Sequence, residues 1–263
     1  MAIPAAVAHG GAGAGPERLA NVERAVAIAA GILDSGGSAI EAAVEACVVL
    51  EDDPVFNAGT GSVFRTDGSV HLDASIQTSE GKMGFVIGMQ DTPNPIRVAA
   101  DLLEEDINGL SGDGARLWAD SKGFEKSNVQ GRPPFEGATD TVGVVTRDKS
   151  GIIVCATSTG GTSNRPPGRV GDVPLPGCGF WVQDGVGVGA TGIGEAITRG
   201  MISLRVADRI LDGNDLEESM MWALEECLEG GAEVGIIALG AEGTGHGVSN
   251  STNMPWASWI ARK

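Results

Sequence analysis

At 263 residues the chain is long enough for one large α/β domain with a substantial core. It carries 18 Lys and Arg against 35 Asp and Glu, and a net charge of −17 would repel nucleic acids. The four cysteines lie far apart in the sequence, without a CxxC pair or a nearby histidine, which argues against a zinc site and a disulfide framework. No apolar run approaches the roughly 18 residues of a membrane span. The start, Met1-Ala2-Ile3-Pro4, lacks a signal-peptide pattern, so we expect a cytoplasmic protein.

The first third of the chain predicts a strand followed by two helices. The apolar run 3–8 ends in a glycine-rich turn, 9–15, and apolar residues at helical spacing follow over 17–34. Ser38 and Glu41 match a capping box that opens a second helix ending near Leu50. The next predicted elements are a hairpin at 63–72 around Asp67-Gly68, a strand at 85–89, and helices at 96–105 and 114–121.

Residues 121–140 are polar, contain two adjacent prolines, and predict an exposed linker without secondary structure. A linker of this length is unusual inside a compact domain and invites a functional explanation. It ends directly at Thr141, which opens an apolar, strand-like run.

The second half of the chain predicts a hairpin, a long loop and then alternating helices and strands. These elements are strands at 142–147 and 151–157, a loop at 159–179, a strand at 186–190, a helix at 192–211, a helix at 216–228, and strands at 234–239 and 256–261. Groups of strands followed by groups of helices favour a layered αββα sandwich over an alternating βαβ sheet.

Five polar residues in this half are candidates for a catalytic site, although each also has a plain structural explanation. A threonine at a strand start, such as Thr141, is commonly chosen for β-propensity. Arg169 and Asp172 could form a surface ion pair, and Thr191 could cap a helix. Thr159 is the fifth candidate residue. Their joint occurrence in loops and at strand edges favours a functional site.

The chain resembles the plant-type asparaginase and isoaspartyl peptidase family of N-terminal-nucleophile hydrolases, which is related to the glycosylasparaginases. Seven segments carry the resemblance, stand in the family's order and cover nearly the whole chain. They are His9-Gly10-Gly11-Ala12-Gly13, 56–62, Asp73-Ala74-Ser75-Ile76, Asp140-Thr141-Val142-Gly143, 157–161, 168–174 and 191–195. Each is a weak signal alone, but together they are specific.

The resemblance implies a self-cleaving precursor and a four-layer αββα sandwich of the N-terminal-nucleophile hydrolase type. The Thr141 hydroxyl would cut the chain after Asp140, giving an α subunit, 1–140, and a β subunit, 141–263, from one domain. The new α-amino group of Thr141, with a pKa near ~8, would then serve as the general base for its own hydroxyl. The expected activity is hydrolysis of β-aspartyl amides, namely L-asparagine and isoaspartyl dipeptides.

The resemblance also assigns roles to the other residues of the site. Thr159 would hydrogen-bond the nucleophile, while Asn57 and the loop 9–13 would brace it. Arg169 would hold the substrate α-carboxylate, a planar anion that suits a guanidinium. Asp172 would bind the substrate ammonium, together with the carbonyls of Gly192 and Gly194. The Thr191 hydroxyl and the Gly192 N–H would form the oxyanion hole.

No cofactor is expected for catalysis, but the resemblance implies a structural sodium ion and a dimer of αβ heterodimers. The sodium ion would be held by the backbone carbonyls of a loop that follows the second helix. The residues supplying them would be Leu50, Glu51, Asp53, Phe56, Ala58 and Thr60.

The sequence departs from the family pattern at positions that bear on substrate preference. Ile193 stands where a histidine is common, and Val173 stands where a serine usually follows Gly-Asp. Asp140 before the nucleophile is similar to the glycosylasparaginase and taspase branches, whereas Thr159-Gly160-Gly161 is similar to the asparaginase branch. A glycosylasparaginase-like or taspase-like substrate choice therefore remains an alternative.

Two alternatives belong to other classes of protein. Residues 187–192 form a literal GxGxxG with Asp208 further on, as in a dinucleotide site. However, Asp208 falls inside a predicted helix rather than at the end of a strand, and few residues remain for the expected fold. The other alternative is a non-catalytic relative of the fold, for which Ile193 and Val173 are the best support.

Overall fold

The computed structural model describes residues 1–133 and 141–262 and contains eleven strands and seven α-helices within them. The strands are β1 (Ala5–His9), β2 (Leu72–Thr78), β3 (Met83–Met89), β4 (Gly109–Ser111), β5 (Val142–Arg147), β6 (Ile153–Thr159), β7 (Phe180–Gln183), β8 (Val186–Gly192), β9 (Val234–Gly240), β10 (His246–Ser249) and β11 (Trp256–Ile260). The helices are α1 (Leu19–Asp34), α2 (Ala39–Asp52), α3 (Pro95–Asp101), α4 (Gly112–Lys122), α5 (Gly194–Gly200), α6 (Ile202–Leu211) and α7 (Leu216–Glu226).

The strands form two sheets that pack face to face between two layers of helices. The larger sheet has the order β11-β1-β5-β6-β2-β3-β4, and the smaller has the order β10-β9-β8-β7. Val7, Val145 and Cys155 of the larger sheet share a buried cluster with Ile237 and Leu239 of the smaller one. Helices α1 to α4 cover the outer face of the larger sheet, and α5 to α7 cover that of the smaller. This is the expected αββα sandwich.

Local sequence signals explain several element boundaries. The Ser38 hydroxyl accepts a hydrogen bond from the backbone N–H of Glu41 (3.1 Å), so the predicted N-cap of α2 is confirmed. Asp148 closes the turn between β5 and β6 by accepting from the backbone N–H of Ser150 and of Ile152. These two strands run antiparallel and in register, with Val142 opposite Ser158, as the predicted hairpin requires.

The predicted hairpin at 63–72 is wrong. A turn does form, with the Arg65 N–H donating to the Ser69 carbonyl (2.8 Å), but no regular strand precedes it. The next strand, β2, is paired on both edges by β3 and β6, so residues 63–71 have no free sheet edge to join. Val63 instead forms an isolated bridge with Arg132.

The single helix predicted at 192–211 is also wrong, because Met201 adopts φ +46° and divides it into α5 and α6. Strands β4, β7 and β10 were not predicted, since each spans only three or four residues. The predicted linker overlaps the last turn of α4, and its residues 134–140 lie outside the described residues. Within the described ranges, no helix is long and apolar enough to cross a membrane.

Candidate active site

Thr141 immediately precedes β5, which lies between β1 and β6 in the larger sheet. Its side chain is buried, and its Oγ1 donates a hydrogen bond to Oγ1 of Thr159 (3.2 Å). Because β5 and β6 are adjacent and antiparallel, the start of one strand meets the end of the other. The fold thus brings the two predicted threonines together.

Thr159 is held in turn by the glycine turn that follows β6. The Gly161 N–H donates to Thr159 Oγ1 (2.9 Å), and Asn57 Nδ2 donates to the Gly161 carbonyl (2.6 Å). The Asn57 carbonyl also accepts from the Gly160 N–H (2.8 Å). The described contacts of Asn57 therefore shape the turn beside Thr159, one step away from Thr141.

Thr191 and Gly192 end β8 on the opposite, smaller sheet. Thr191 Oγ1 accepts a hydrogen bond from the Ala12 N–H (3.3 Å), which connects this strand to the glycine-rich loop after β1. Gly192 has φ +132°, and any side chain there would run into the carbonyl of Glu233. The backbone at this position therefore requires glycine.

His9 ends β1 and is completely buried beside Gly143, its partner in the β1–β5 register. Its Nδ1 accepts from the Gly11 N–H (3.2 Å), so its proton lies on Nε2. Burial lowers the pKa of His9 to about 3, and the ring is neutral at physiological pH. The neutral ring packs against Gly143, two residues after Thr141 in the chain.

Arg169 and Asp172 face the two threonines from the long loop between β6 and β7. The Arg169 guanidinium pairs with Glu195 through two hydrogen bonds, Nε to Oε1 (3.1 Å) and Nη2 to Oε2 (2.9 Å). A Cβ added to Gly194 would stand 2.7 Å from Asp172 Oδ1 and 2.8 Å from Arg169 Nη2. Gly194 is thus the point where both charged side chains come close to the backbone.

Asp172 is buried, and its Oδ2 accepts no hydrogen bond from the part of the chain that the structure describes. Burial raises its pKa to about 7, and the nearby Arg169 opposes that shift. A buried carboxylate with an unsatisfied oxygen is suited to receive a cationic group from a ligand.

Asp73 and Arg65 are two further charged groups near this site. Burial raises the pKa of Asp73 to about 6, with Arg65 and Arg169 opposing the rise. Asp73 lies opposite Thr159 in the β2–β6 register and therefore on the same face of the sheet. The sequence motif at 73–76 pointed to this strand without giving Asp73 a role, and nothing in the sequence pointed to Arg65.

Five of the nine residues predicted for catalysis, substrate binding or self-cleavage line one small cavity. The lining residues are Thr141, Thr159, Gly161, Thr162, Arg169, Gly171, Asp172 and Gly192. Gly161, Thr162 and Gly171 were not predicted as site residues, although Gly161 lies in the motif 157–161 and Gly171 in the motif 168–174. Asp140 lies outside the described residues.

The sodium site stays a prediction: of the six expected carbonyl donors, that of Glu51 lies close to Gly59, beside the carbonyl of Pro93, which was not predicted. Gly59 has φ +48°, and the carbonyl oxygens of Glu51 and Pro93 lie 2.6 and 2.5 Å from the position of a Cβ there. Two carbonyls therefore converge on a point that only a glycine leaves open. Oxygen donors of this kind suit a hard cation. Among the described residues, no group of three or more His, Cys, Asp or Glu side chains is arranged for a metal.

The dinucleotide alternative is not supported by the geometry. Residues 187–192 lie within β8, and Asp208 lies within helix α6. The ribose-binding acid of a dinucleotide site stands at the end of a second strand, which is not where Asp208 is.

Comparisons with known proteins place the chain in a family. A family model described as "Asparaginase" matches residues 3–132 and 129–263. The chain is 36% identical over 270 residues to a protein of Pyrobaculum calidifontis named plant-type L-asparaginase, and the alignment covers 90% of each of the two chains. It is 36% identical over 288 residues to the human protein named isoaspartyl peptidase/L-asparaginase, covering 97% of this chain and 92% of that protein. The corresponding protein of Macaca fascicularis is 35% identical with the same coverage. The chain therefore belongs to the plant-type asparaginase and isoaspartyl peptidase family.

Proposed function

We propose that this chain is a self-cleaving amidohydrolase of β-aspartyl amide bonds, with Thr141 as its nucleophile. The observation that carries the proposal is the hydrogen bond between Thr141 Oγ1 and Thr159 Oγ1 at a cavity also lined by Arg169 and Asp172. The relatives' names support L-asparagine and isoaspartyl dipeptides as substrates.

Activation begins with attack of Thr141 Oγ1 on the carbonyl carbon of Asp140. The C–N bond to Thr141 breaks as the acyl group moves to oxygen, and water then hydrolyses the ester. The products are a chain ending at 140 and a chain whose free α-amino group belongs to Thr141. That amine has an ordinary pKa of ~8 and can accept the hydroxyl proton.

Catalysis then uses the same hydroxyl on the substrate. Arg169 binds the α-carboxylate and Asp172 the α-ammonium, which aims the β-amide carbon at Thr141 Oγ1. The oxyanion of the tetrahedral intermediate accepts hydrogen bonds from the Thr191 hydroxyl and the Gly192 N–H. The protonated amine gives its proton to the leaving amine or ammonia, and water hydrolyses the acyl-enzyme ester.

The residues around the site hold the reacting groups in place and take no part in the bond-making steps. Asn57 and the turn 159–161 fix Thr159, and a sodium ion held by carbonyls of the loop 50–60 would stiffen the segment that carries Asn57. We also propose a dimer of αβ heterodimers, and a cytoplasmic location because all four cysteines are free and buried.

The test compares wild type, Thr141→Ala and Thr141→Ser by denatured mass and by ammonia release from L-asparagine. Wild type and the serine variant, which keeps a hydroxyl, should give two fragments divided before residue 141 and should release ammonia. The alanine variant should stay uncut, with activity reduced by at least about 10³-fold. An uncut but active alanine variant would refute the mechanism.

Glycosylasparagine is the discriminating second substrate. A preference for it over asparagine and isoaspartyl dipeptides would keep the nucleophile but assign the chain to the glycosylasparaginase-like alternative. Cleavage of a folded protein substrate after aspartate would favour the taspase-like one.

A further inference from the structure

Arg169 presents only part of its guanidinium to the cavity, because Glu195 already occupies the Nε edge. The two hydrogen bonds to Glu195 use the Nε–H and one Nη2–H. A guanidinium has five N–H groups, so the other Nη2–H and both Nη1–H groups remain for a ligand. A carboxylate can be bound in a bidentate manner across that end of the guanidinium.

Glu195 lies on the outer side of Arg169 and away from the cavity. Its side chain is 41% exposed, whereas that of Arg169 is 10% exposed. Arg169 lines the cavity that contains Thr141 and Asp172, while Glu195 is not among its described lining residues. Glu195 therefore does not occupy the place of a substrate carboxylate.

Two glycines, of which Gly171 lines the cavity, leave room beside the Nη atoms of the guanidinium. A Cβ on Gly171 would lie 2.7 Å from Arg169 Nη1, and one on Gly194 would lie 2.8 Å from Nη2. Glu195 binds one edge of the guanidinium, and glycine backbone without a side chain lies at the other edge. This arrangement fixes the rotation of the guanidinium and the side from which a carboxylate can approach.

We infer that Glu195 is a positioning residue that holds Arg169 in the orientation needed to recognise the substrate α-carboxylate. This inference rests on the proposed function, in which Arg169 binds that group. An arginine side chain has many rotamers, and a fixed bidentate partner removes most of them before the ligand arrives. Loss of Glu195 should therefore weaken binding of ligands with an α-carboxylate, while the chemistry at Thr141 stays intact.

The kinetic test uses Glu195→Ala and Glu195→Gln with two substrates, L-asparagine and its α-amide, in which a carboxamide replaces the α-carboxylate. For asparagine, Glu195→Ala should raise KM about tenfold with kcat changed less than about twofold. The glutamine variant keeps one acceptor and should fall between wild type and alanine. For the α-amide, KM should be the same in all three proteins.

Glu229→Ala is the matched control, because Glu229 forms a long (3.9 Å) and exposed ion pair with Arg199, which lies on α5, the helix that also carries Glu195. It should leave both KM values and self-cleavage unchanged. A lower KM for asparagine in Glu195→Ala would show that Glu195 competes with the substrate and would overturn the inference. An equal rise of KM for both substrates would also overturn it, by indicating general damage to the site.

A binding measurement keeps this test separate from that of the proposed function. Calorimetric titration with L-aspartate, which carries the same α-carboxylate and α-ammonium, requires no turnover. Weaker aspartate binding in Glu195→Ala than in wild type supports the inference even if wild type releases no ammonia from asparagine. Equal binding in the two proteins, or no binding to wild type, contradicts it.

Discussion

Asp172 is the residue whose ionisation should control binding of the substrate ammonium. Burial raises its pKa to about 7, so it loses its charge as the pH falls through neutrality. Its Oδ2 is buried without a hydrogen bond from the described residues, which leaves the ammonium as the group that would satisfy it. The carboxylate form binds the ammonium, and the protonated form does not.

Comparing asparagine with succinamate, which has no α-amino group, isolates the titration of Asp172. The amine of Thr141 must be neutral for both substrates, so its effect cancels in the ratio of their kcat/KM values. That ratio should fall about tenfold between pH 8 and pH 6, because a group with a pKa near 7 is mostly ionised at the first pH and mostly protonated at the second. A ratio independent of pH would contradict the assignment of Asp172.

The contact between the two sheets depends on glycines in β8 that let the smaller sheet approach the larger. A Cβ on Gly187 would lie 2.7 Å from both Ile153 Cγ2 and Val145 Cγ1. Two residues further along the same strand, a Cβ on Gly189 would lie 3.4 Å from Cys155 Sγ, an ordinary contact distance. The two glycines share a face of the strand but differ in the space before them.

These two positions give a matched pair of variants. Gly187→Ala should lower the free energy of unfolding by about 1–3 kcal/mol through overpacking between the sheets. Gly189→Ala should leave it unchanged or raise it slightly, because alanine reduces the entropy of the unfolded chain. Urea unfolding of both in a Thr141→Ala background, where the chain is expected to stay whole, measures the difference. Equal effects would contradict this account of the sheet contact.

The elements that local chemistry specifies were predictable from sequence, and those decided by tertiary pairing were not. Ser38 and Glu41 define a helix start through their own contacts, so the pattern predicted α2. Asp67-Gly68 does make a turn, but β3 and β6 take the strand edges that a hairpin would need. Met201 divides α5 from α6 by adopting a left-handed backbone conformation, which a methionine in the sequence does not predict.

The same division applies to the candidate site. Thr141, Thr159, Arg169 and Asp172 lie in recognisable motifs, and the fold brings all four to one cavity. The pairing of Arg169 with Glu195 on α5, and the approach of Arg65, depend on how segments far apart in sequence meet. Spacing along the chain carries no signal for such contacts.

At the scale of the whole molecule, the segments on either side of the proposed cut are interleaved in one sheet. In the larger sheet β1 lies between β11 and β5, and β6 lies beside β2. Strands β1 and β2 precede the cut, whereas β5, β6 and β11 follow it. Separating the two fragments would break the β1–β5, β1–β11 and β2–β6 ladders together with the core beneath them. We therefore expect the cut chains to stay associated until they unfold.

This interleaving predicts that cleavage makes unfolding depend on protein concentration. The uncut Thr141→Ala chain refolds from one molecule, whereas the cut protein must reassemble from two. Each tenfold dilution should lower the stability of the cut protein by about 1.4 kcal/mol more than that of the uncut variant. Urea midpoints measured over a hundredfold range of concentration check this, and any assembly common to both forms cancels in the comparison. Parallel dependence in the two forms would mean that the fragments fold as separate units, contrary to the shared sheet.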